Sequence, residues 1–320
     1  MPLISPSSYR APLMFSNPHV QTVFPSLFRR VSGVHYQRHR IDTLDNDFLD
    51  LDKSTVGSRR LAIILHGLEG DSSRAYVLGM VKAVNKRGWD ALVVNFRGCS
   101  GVSNKRVRFY HSGDTQDLET VISYVTANEK YSELALIGFS LGGNVILKYL
   151  GERGTQTNSL ITKAVAFSVP CDLESSSNHL ARSANRIYLK RFLRLLRKKI
   201  RMKMATMPEQ INDHDYKTIK TFKEFDDRYT APMFGFSGAE DYWRKASCKP
   251  FLASISIPTL LINAADDPFL TDLCYPTEEA KNNPRFFLEI PKFGGHVGFL
   301  AFNSAREYWS ESRTVSFLAN

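Results

Sequence analysis

The residues that could do chemistry fall in four short strings. The first is Gly138-Phe139-Ser140-Leu141-Gly142-Gly143, between an apolar run, Leu134 to Gly138, and an apolar-periodic stretch, Asn144 to Leu150. A Gly-x-Ser-x-Gly joining a strand to a helix is the pattern of a nucleophilic serine on a tight turn. The turn strains the serine backbone and pushes the hydroxyl outward. Side chains in place of Gly138 or Gly142 would strike neighbouring backbone. The helix that follows aims N–H groups and its dipole at the place where an oxyanion would form. An unreactive glycine-rich connection would read similarly, but the strand before and the helix after favour the nucleophile.

The other three strings supply what a serine nucleophile needs. His66-Gly67-Leu68-Glu69-Gly70 directly follows the apolar run Leu61 to Leu65. An acyl-transfer oxyanion takes two backbone N–H donors, here expected from Leu68 and Leu141. Ala264-Ala265-Asp266-Asp267-Pro268-Phe269-Leu270 follows another apolar run and offers the acid that orients a histidine. Asp267 is preferred to Asp266 because a residue before proline is held extended, whereas Asp266 suits a helix cap. Phe293-Gly294-Gly295-His296-Val297-Gly298-Phe299 comes last. Of the eight histidines only His296 lies after the acid, which gives the chain order Ser…Asp…His.

These strings need elements to position them. Val34 to Ile41 and Asp47 to Asp52 alternate and predict an antiparallel pair around Asp45-Asn46. Leu61 to Leu65, Asp90 to Phe96, Leu134 to Ile137, Ala164 to Val169, Pro258 to Asn263 and Phe286 to Ile290 read as further strands, several apolar throughout. Ser72 to Arg87, Thr115 to Asn128 and Ser304 to Leu318 read as helices, and Met1 to Phe28 as Pro-rich and irregular. Alternating strands and helices predict an α/β fold with a mostly parallel sheet. Residues 1–170 are expected to hold the arm and the first part of the core. Residues 171–255 have helical patterns without a convincing strand and are expected to form a helical lid after the sixth strand. Residues 256–320 would complete the core.

Composition narrows the function. The 320 residues can bury an ample core. No run of about 18 apolar residues occurs, so no transmembrane helix is expected, and the start lacks a secretory pattern. Cys99, Cys171, Cys248 and Cys274 are scattered without metal-ligand spacing, which predicts reduced thiols in the cytoplasm. The net charge of +10 is local: residues 182–203 hold ten of the 42 basic residues and no acid, leaving 32 basic against 32 acidic. Within that stretch Leu189, Phe192, Leu193, Leu196 and Ile200 form one helical face, and Lys190, Arg191, Arg194, Arg197, Lys198 and Arg201 take the rest. A solvated basic face is the simpler reading, and contact of residues 186–204 with anionic membrane the sharper one. Nucleic acid is not expected, because no recognised binding fold or aromatic-interleaved basic surface accompanies the charge.

Seven strings in order, among them Asn17-Pro18-His19-Val20-Gln21-Thr22, Asn95-Phe96-Arg97-Gly98-Cys99-Ser100-Gly101 and Tyr110-His111-Ser112-Gly113-Asp114, make nearly the whole chain resemble the YheT-like α/β-hydrolases, the group that includes abhydrolase-domain proteins 1, 2 and 3. The resemblance implies the α/β-hydrolase fold and carboxylic-ester hydrolysis by Ser140, Asp267 and His296, with small esters or lipids as substrates. The dense basic charge departs from that pattern, so no relative's substrate preference is carried over. The chemistry expected is attack by Ser140, with His296 as general base, Asp267 orienting it, and Leu68 and Leu141 holding the oxyanion. It needs no metal or cofactor. A serine acyltransferase or a catalytically silent binding protein of the same fold are the alternatives.

Overall fold

The computed structural model describes residues 2–319. Its centre is a nine-stranded sheet built from β1 (Leu3–Ile4), β2 (Gln37–Asp42), β3 (Phe48–Ser54), β4 (Arg60–Leu65), β5 (Asp90–Asn95), β6 (Glu133–Phe139), β7 (Ile161–Phe167), β8 (Thr259–Ile262) and β9 (Phe286–Glu289). The order is β1-β9-β8-β7-β6-β4-β5-β3-β2. Neighbours from β1 through to β5 run parallel, and β3 and β2 close the edge antiparallel. This is the α/β-hydrolase fold with a mostly parallel sheet. The short β1 shifts the count by one, so the strand expected as third is β4 and the one expected as sixth is β7.

The apolar runs explain the layering. Alternate residues of a strand face opposite sides of its sheet. In β4, Leu61, Ile63 and Leu65 enter one buried cluster and Ala62 and Ile64 the other. Helices cover both faces, as parallel strands require. α2 (Ala75–Asn85) places Val77, Met80, Val81 and Val84 in the second cluster. α3 (Thr115–Asn128) and α4 (Leu141–Arg153) contribute Leu118, Val121, Val145 and Leu147 to the first.

The N-terminal arm differs from the irregular segment expected. It contains α1 (Pro18–Phe28), so that expectation is corrected. The Asn17 side chain accepts the N–H groups of His19 and Val20, and Pro18 occupies the first turn, where its missing donor costs nothing. One proline of that Pro-rich stretch, Pro18, thus starts a helix.

From residue 168 to residue 258 the described residues form helices and no strand: α5 (Leu173–Leu180), α6 (Arg186–Met204), α7 (Phe222–Phe225), α8 (Ala231–Phe234) and α9 (Ala239–Ala246). α10 (Thr277–Asn282) follows β8, and α11 (Trp309–Ala319) packs beside α2. Not all the basic residues of α6 face solvent. Lys199 and Lys203 are buried, and Arg197 and Arg201 pair with Asp213. No helix among the described residues is long and apolar enough to cross a membrane.

Candidate active site

Ser140 sits between β6 and α4 with φ 52° and ψ −118°. A non-glycine residue held there stores backbone strain, of order 1–3 kcal/mol. The surrounding contacts impose it. The Ser140 N–H donates to Phe167 O (2.8 Å), and the Asn144 N–H returns to Ser140 O (3.0 Å). A Cβ at Gly142 would come within 2.6 Å of the Leu65 and His66 carbonyl oxygens, so the turn presses α4 directly onto the end of β4.

The structure brings Ser140, Asp267 and His296 together. His296 Nε2 lies 3.0 Å from Ser140 Oγ. Its Nδ1 lies 2.9 Å from Asp267 Oδ2 and 3.1 Å from Oδ1. The carboxylate can only accept, so it fixes the proton on Nδ1 and leaves the Nε2 lone pair facing the serine hydroxyl. The Asp267 side chain is fully buried, and its Oδ1 also accepts the Phe269 N–H (2.9 Å). The Phe269 ring stacks on the imidazole at 4.0 Å and holds its plane.

Asp266 points elsewhere. It accepts the Gly295 N–H (2.9 Å), so it shapes the histidine loop rather than capping the following helix. Burial pushes its carboxyl up to about 6, against that hydrogen bond. The same loop carries Val297 at φ 59°, an unusual backbone for a β-branched residue. Its amides are anchored from two sides: Val297 N–H donates to Ser168 Oγ (2.9 Å) and His296 N–H to Thr22 Oγ1 (2.9 Å). Thr22 belongs to α1, so the Asn17–Thr22 string buttresses the histidine loop.

The loop after β4 is built to present one free donor. Gly67 N–H donates to Tyr76 OH (3.0 Å), Glu69 N–H to Tyr110 OH (2.8 Å) and Gly70 N–H to Gly67 O (2.9 Å). No such bond is found for the N–H of Leu68 or of Leu141 among the described residues. Both leucines line one cavity with Ser140 and His296. His66 braces the turn: its Nδ1 lies 2.8 Å from Gly67 O and its Nε2 accepts the Phe96 N–H. Full burial pushes this imidazole down to about 4, so it stays neutral.

A buried ion pair holds the loop from the other side. Lys199 Nζ on α6 lies 2.9 Å from Glu69 Oε1, which also accepts the Tyr110 hydroxyl (2.7 Å). Burial alone would pull the lysine down. Cys99 and Glu69 outweigh it and hold the ammonium above its ordinary value. The Tyr110–Asp114 string also meets the helical segment: Ser112 N–H donates to Tyr242 OH (3.0 Å).

Two cavities converge on Ser140. One, of about 120 Å³, is mostly apolar and lined by Leu173, Leu180, Phe192, Leu196, Phe222 and Trp243 from the helical segment. The other, of about 180 Å³, opens outward between Thr22, Val23 and Ser26 of α1 and Arg191 and Leu195 of α6. Among the described residues no group of three or more His, Cys, Asp and Glu side chains is placed to hold a metal ion.

Sequence reasoning located the serine, both aspartates, the histidine and both leucines. It missed Thr22, Tyr76, Tyr110 and Lys199, which position them. Thr22 and Tyr110 lie in strings singled out without a role. Tyr76 and Lys199 carried no signal beyond helical periodicity.

Comparison with known proteins agrees with the fold. Residues 62–301 match the model of the family described as the alpha/beta hydrolase fold. The Escherichia coli (strain K12) protein named "Putative esterase YheT" is 36% identical over 95% of this chain and 91% of its own. Human phospholipase ABHD3 is 33% identical over 88% of this chain and 70% of its own. The Saccharomyces cerevisiae monoacylglycerol lipase is 31% identical over 79% of this chain and 58% of its own. Among solved structures, the Pyrococcus furiosus esterase Pf2001 superposes with a TM-score of 0.60 at 20% identity, covering 91% of this chain and 98% of that one.

Proposed function

Because the chain belongs to the α/β-hydrolase fold family, together with esterase- and lipase-named relatives, we propose that it is a serine-dependent carboxylic-ester hydrolase working through an acyl-enzyme. The observation that carries this reading is His296, within hydrogen-bond distance of Ser140 Oγ on one side and of Asp267 on the other.

The reaction follows from the placement of the groups. Ser140 Oγ attacks the acyl carbonyl while His296 Nε2 takes its proton, and the buried Asp267 carboxylate stabilises the imidazolium. The carbonyl oxygen gathers negative charge between the N–H groups of Leu68 and Leu141. Collapse expels the alcohol, protonated by His296, and leaves an ester on Ser140. Water then loses a proton to Nε2, attacks that ester and releases the acid. The apolar cavity lined by the helical segment takes the acyl chain under residues 171–255, which act as a lid. The outward cavity takes the alcohol half. Four free thiols are in keeping with a cytoplasmic setting.

A fluorophosphonate probe tests the nucleophile directly. Ser140 should be labelled, and Ser140→Ala should lose both labelling and ester turnover, by several orders of magnitude, while keeping the wild-type melting curve. A folded Ser140→Ala protein with near-normal turnover would end this reading. A hydrolysis screen across acyl-chain lengths then defines the substrate.

A further inference from the structure

α1 is amphipathic in the wrong sense for a helix that packs on a core. Gln21 and Pro25 are its buried residues, and the Gln21 amide oxygen accepts the Tyr9 hydroxyl. Val20, Val23, Phe24 and Leu27 lie at i, i+3, i+4 and i+7, one helical stripe. Val20, Val23 and Leu27 are exposed by 40%, 37% and 53%, and Phe28 by 64%. The turn just before adds Leu13 and Met14, nearly bare. Phe15 ties that turn to Phe24 (5.0 Å) and to Phe302 (5.4 Å), itself largely exposed. A contiguous exposed apolar surface of this kind marks an interaction site.

The basic side of α6 faces the same opening. His19 on α1 and Tyr188 on α6 stack and share a hydrogen bond (2.9 Å), so the two helices are joined at that end. Further along, Val23 and Arg191 line the outward cavity that reaches Ser140. Lys190, Arg191, Arg194 and Lys198 are exposed and have no ion-pair partner among the described residues. No acidic residue occurs in residues 1–41 or 182–208, which contain both helices. Apolar side chains beside unpaired cations form the surface that settles into an anionic bilayer interface.

We propose that the rim formed by α1 and α6 docks on an anionic lipid bilayer and turns the mouth of the Ser140 site toward it. The apolar stripe enters the acyl boundary, and the cations meet the headgroups. Delivery of substrate through this mouth rests on the ester-hydrolase reading above, whereas the docking itself does not. A second copy of the chain fits this face poorly. A two-fold interface lays the same patch on itself, and that would press unpaired cations against their own copies.

The test is co-sedimentation of the full chain with vesicles of phosphatidylcholine, alone or mixed with phosphatidylglycerol. Wild-type protein should prefer the anionic vesicles, and the preference should fade as added salt screens the charges. Each basic residue near an anionic surface contributes roughly a fivefold gain in partitioning. Lys190→Glu with Arg194→Glu and Lys198→Glu should therefore lower it by roughly a hundredfold or more. Leu27→Ser with Phe28→Ser should weaken binding even in high salt. Both variants should hydrolyse a short water-soluble ester at the wild-type rate, and Ser140→Ala should bind vesicles like wild type. Equal wild-type partitioning onto both vesicle types at low salt would overturn the proposal. So would sedimentation of a dimer that the triple variant abolishes without any vesicle binding. Wild-type protein that hydrolyses the ester but does not bind anionic vesicles rejects the docking alone, and wild-type protein that binds them but hydrolyses no ester rejects the ester-hydrolase reading alone.

Discussion

Exchanging Asp267 for asparagine changes one atom, and the geometry says which way the new side chain must point. In the wild type Oδ1 accepts the Phe269 N–H (2.9 Å) and Oδ2 faces His296 Nδ1 (2.9 Å). The amide oxygen of Asp267→Asn has to stay on the Phe269 side, because an NH2 there would oppose a donor. The NH2 then takes the Oδ2 place and donates to Nδ1. Oδ1 lies 3.1 Å from Nδ1, but a ring N–H aimed at it would still meet the new amide hydrogens. The imidazole proton therefore moves to Nε2, and His296 presents a donor where it must accept the Ser140 proton. In a serine-protease triad this wrong tautomer costs about 10⁴ in turnover, or roughly 5 kcal/mol of barrier. Asp266→Asn keeps an acceptor for Gly295 and leaves the tautomer alone, so its turnover should stay within about tenfold of wild type. Initial rates on a chromogenic short-chain ester, with melting curves to confirm folding, measure both. Near-wild-type turnover by Asp267→Asn, with a large loss in Asp266→Asn, would move the acid to Asp266.

Three further outcomes follow from the buried groups and the strained turn. Lys199→Met leaves the buried Glu69 carboxylate with the Tyr110 hydroxyl but no counter-charge, which should cost about 3–5 kcal/mol in urea unfolding; adding Glu69→Gln should recover most of it, and additive losses would refute the coupling. Burial pushes Asp226 up to about 7, against its bonds from Thr230 and Trp243. Its unfolded value is 3.8, so folding retains a proton that the unfolded chain releases. The penalty is absent below about pH 4 and complete above about pH 7. Asp226→Asn should raise the melting temperature at pH 8 and leave it unchanged near pH 4, and equal effects at both would reject the assignment. Ser140→Gly relieves the positive φ, worth about 1–3 kcal/mol less the roughly 0.5–1 kcal/mol entropy penalty of glycine. It should melt above Ser140→Ala, with both inactive, and the reverse order would show that the turn is unstrained.

What the sequence disclosed depended on how locally each feature is encoded. The strands of the parallel sheet were legible because burial on both faces demands uninterrupted apolar runs, as in Leu61 to Leu65. The serine turn was legible because its tight approach restricts Gly138 and Gly142 to one residue type. The supports were not, because most of them join residues far apart in the chain. Thr22 meets His296 across 274 positions, and no pattern near either residue records it. α1 was missed because its apolar stripe faces outward and two prolines interrupt its reading. The basic run of residues 182–203 included Lys199 without giving it a partner; it is buried against Glu69, more than a hundred residues upstream.

Those long-range supports constrain how the helical segment beside Ser140 can move. It grips the elements bearing Leu68 and Leu141. The Asn144 side chain on α4 donates to Ser112 O (2.7 Å) and Ala246 O (2.8 Å) and accepts the Cys248 N–H (2.9 Å). Lys199 holds the loop of Leu68 through Glu69, and Lys203 one turn later binds the Asn104 carbonyl (2.7 Å). Lifting α6 as a rigid body would strand these ammonium groups and the Glu69 carboxylate, at several kcal/mol for each broken buried pair. The opposite end of α6 carries no ion pair among the described residues; the buried Asn185 side chain donates to Pro268 O (2.8 Å) there, beside buried Leu189, the His19–Tyr188 contact and the Phe269 ring. Separating an exposed hydrogen-bonded pair costs only about 1 kcal/mol. On the proposed ester-hydrolase reading, a mouth that widens at Ile187 to Phe192 while Lys199 stays seated would admit an ester without disturbing the N–H groups of Leu68 and Leu141. On that reading the Lys199–Glu69 pair sets where the cover would hinge, and the end of α6 without an ion pair is the one beside the exposed stripe of α1.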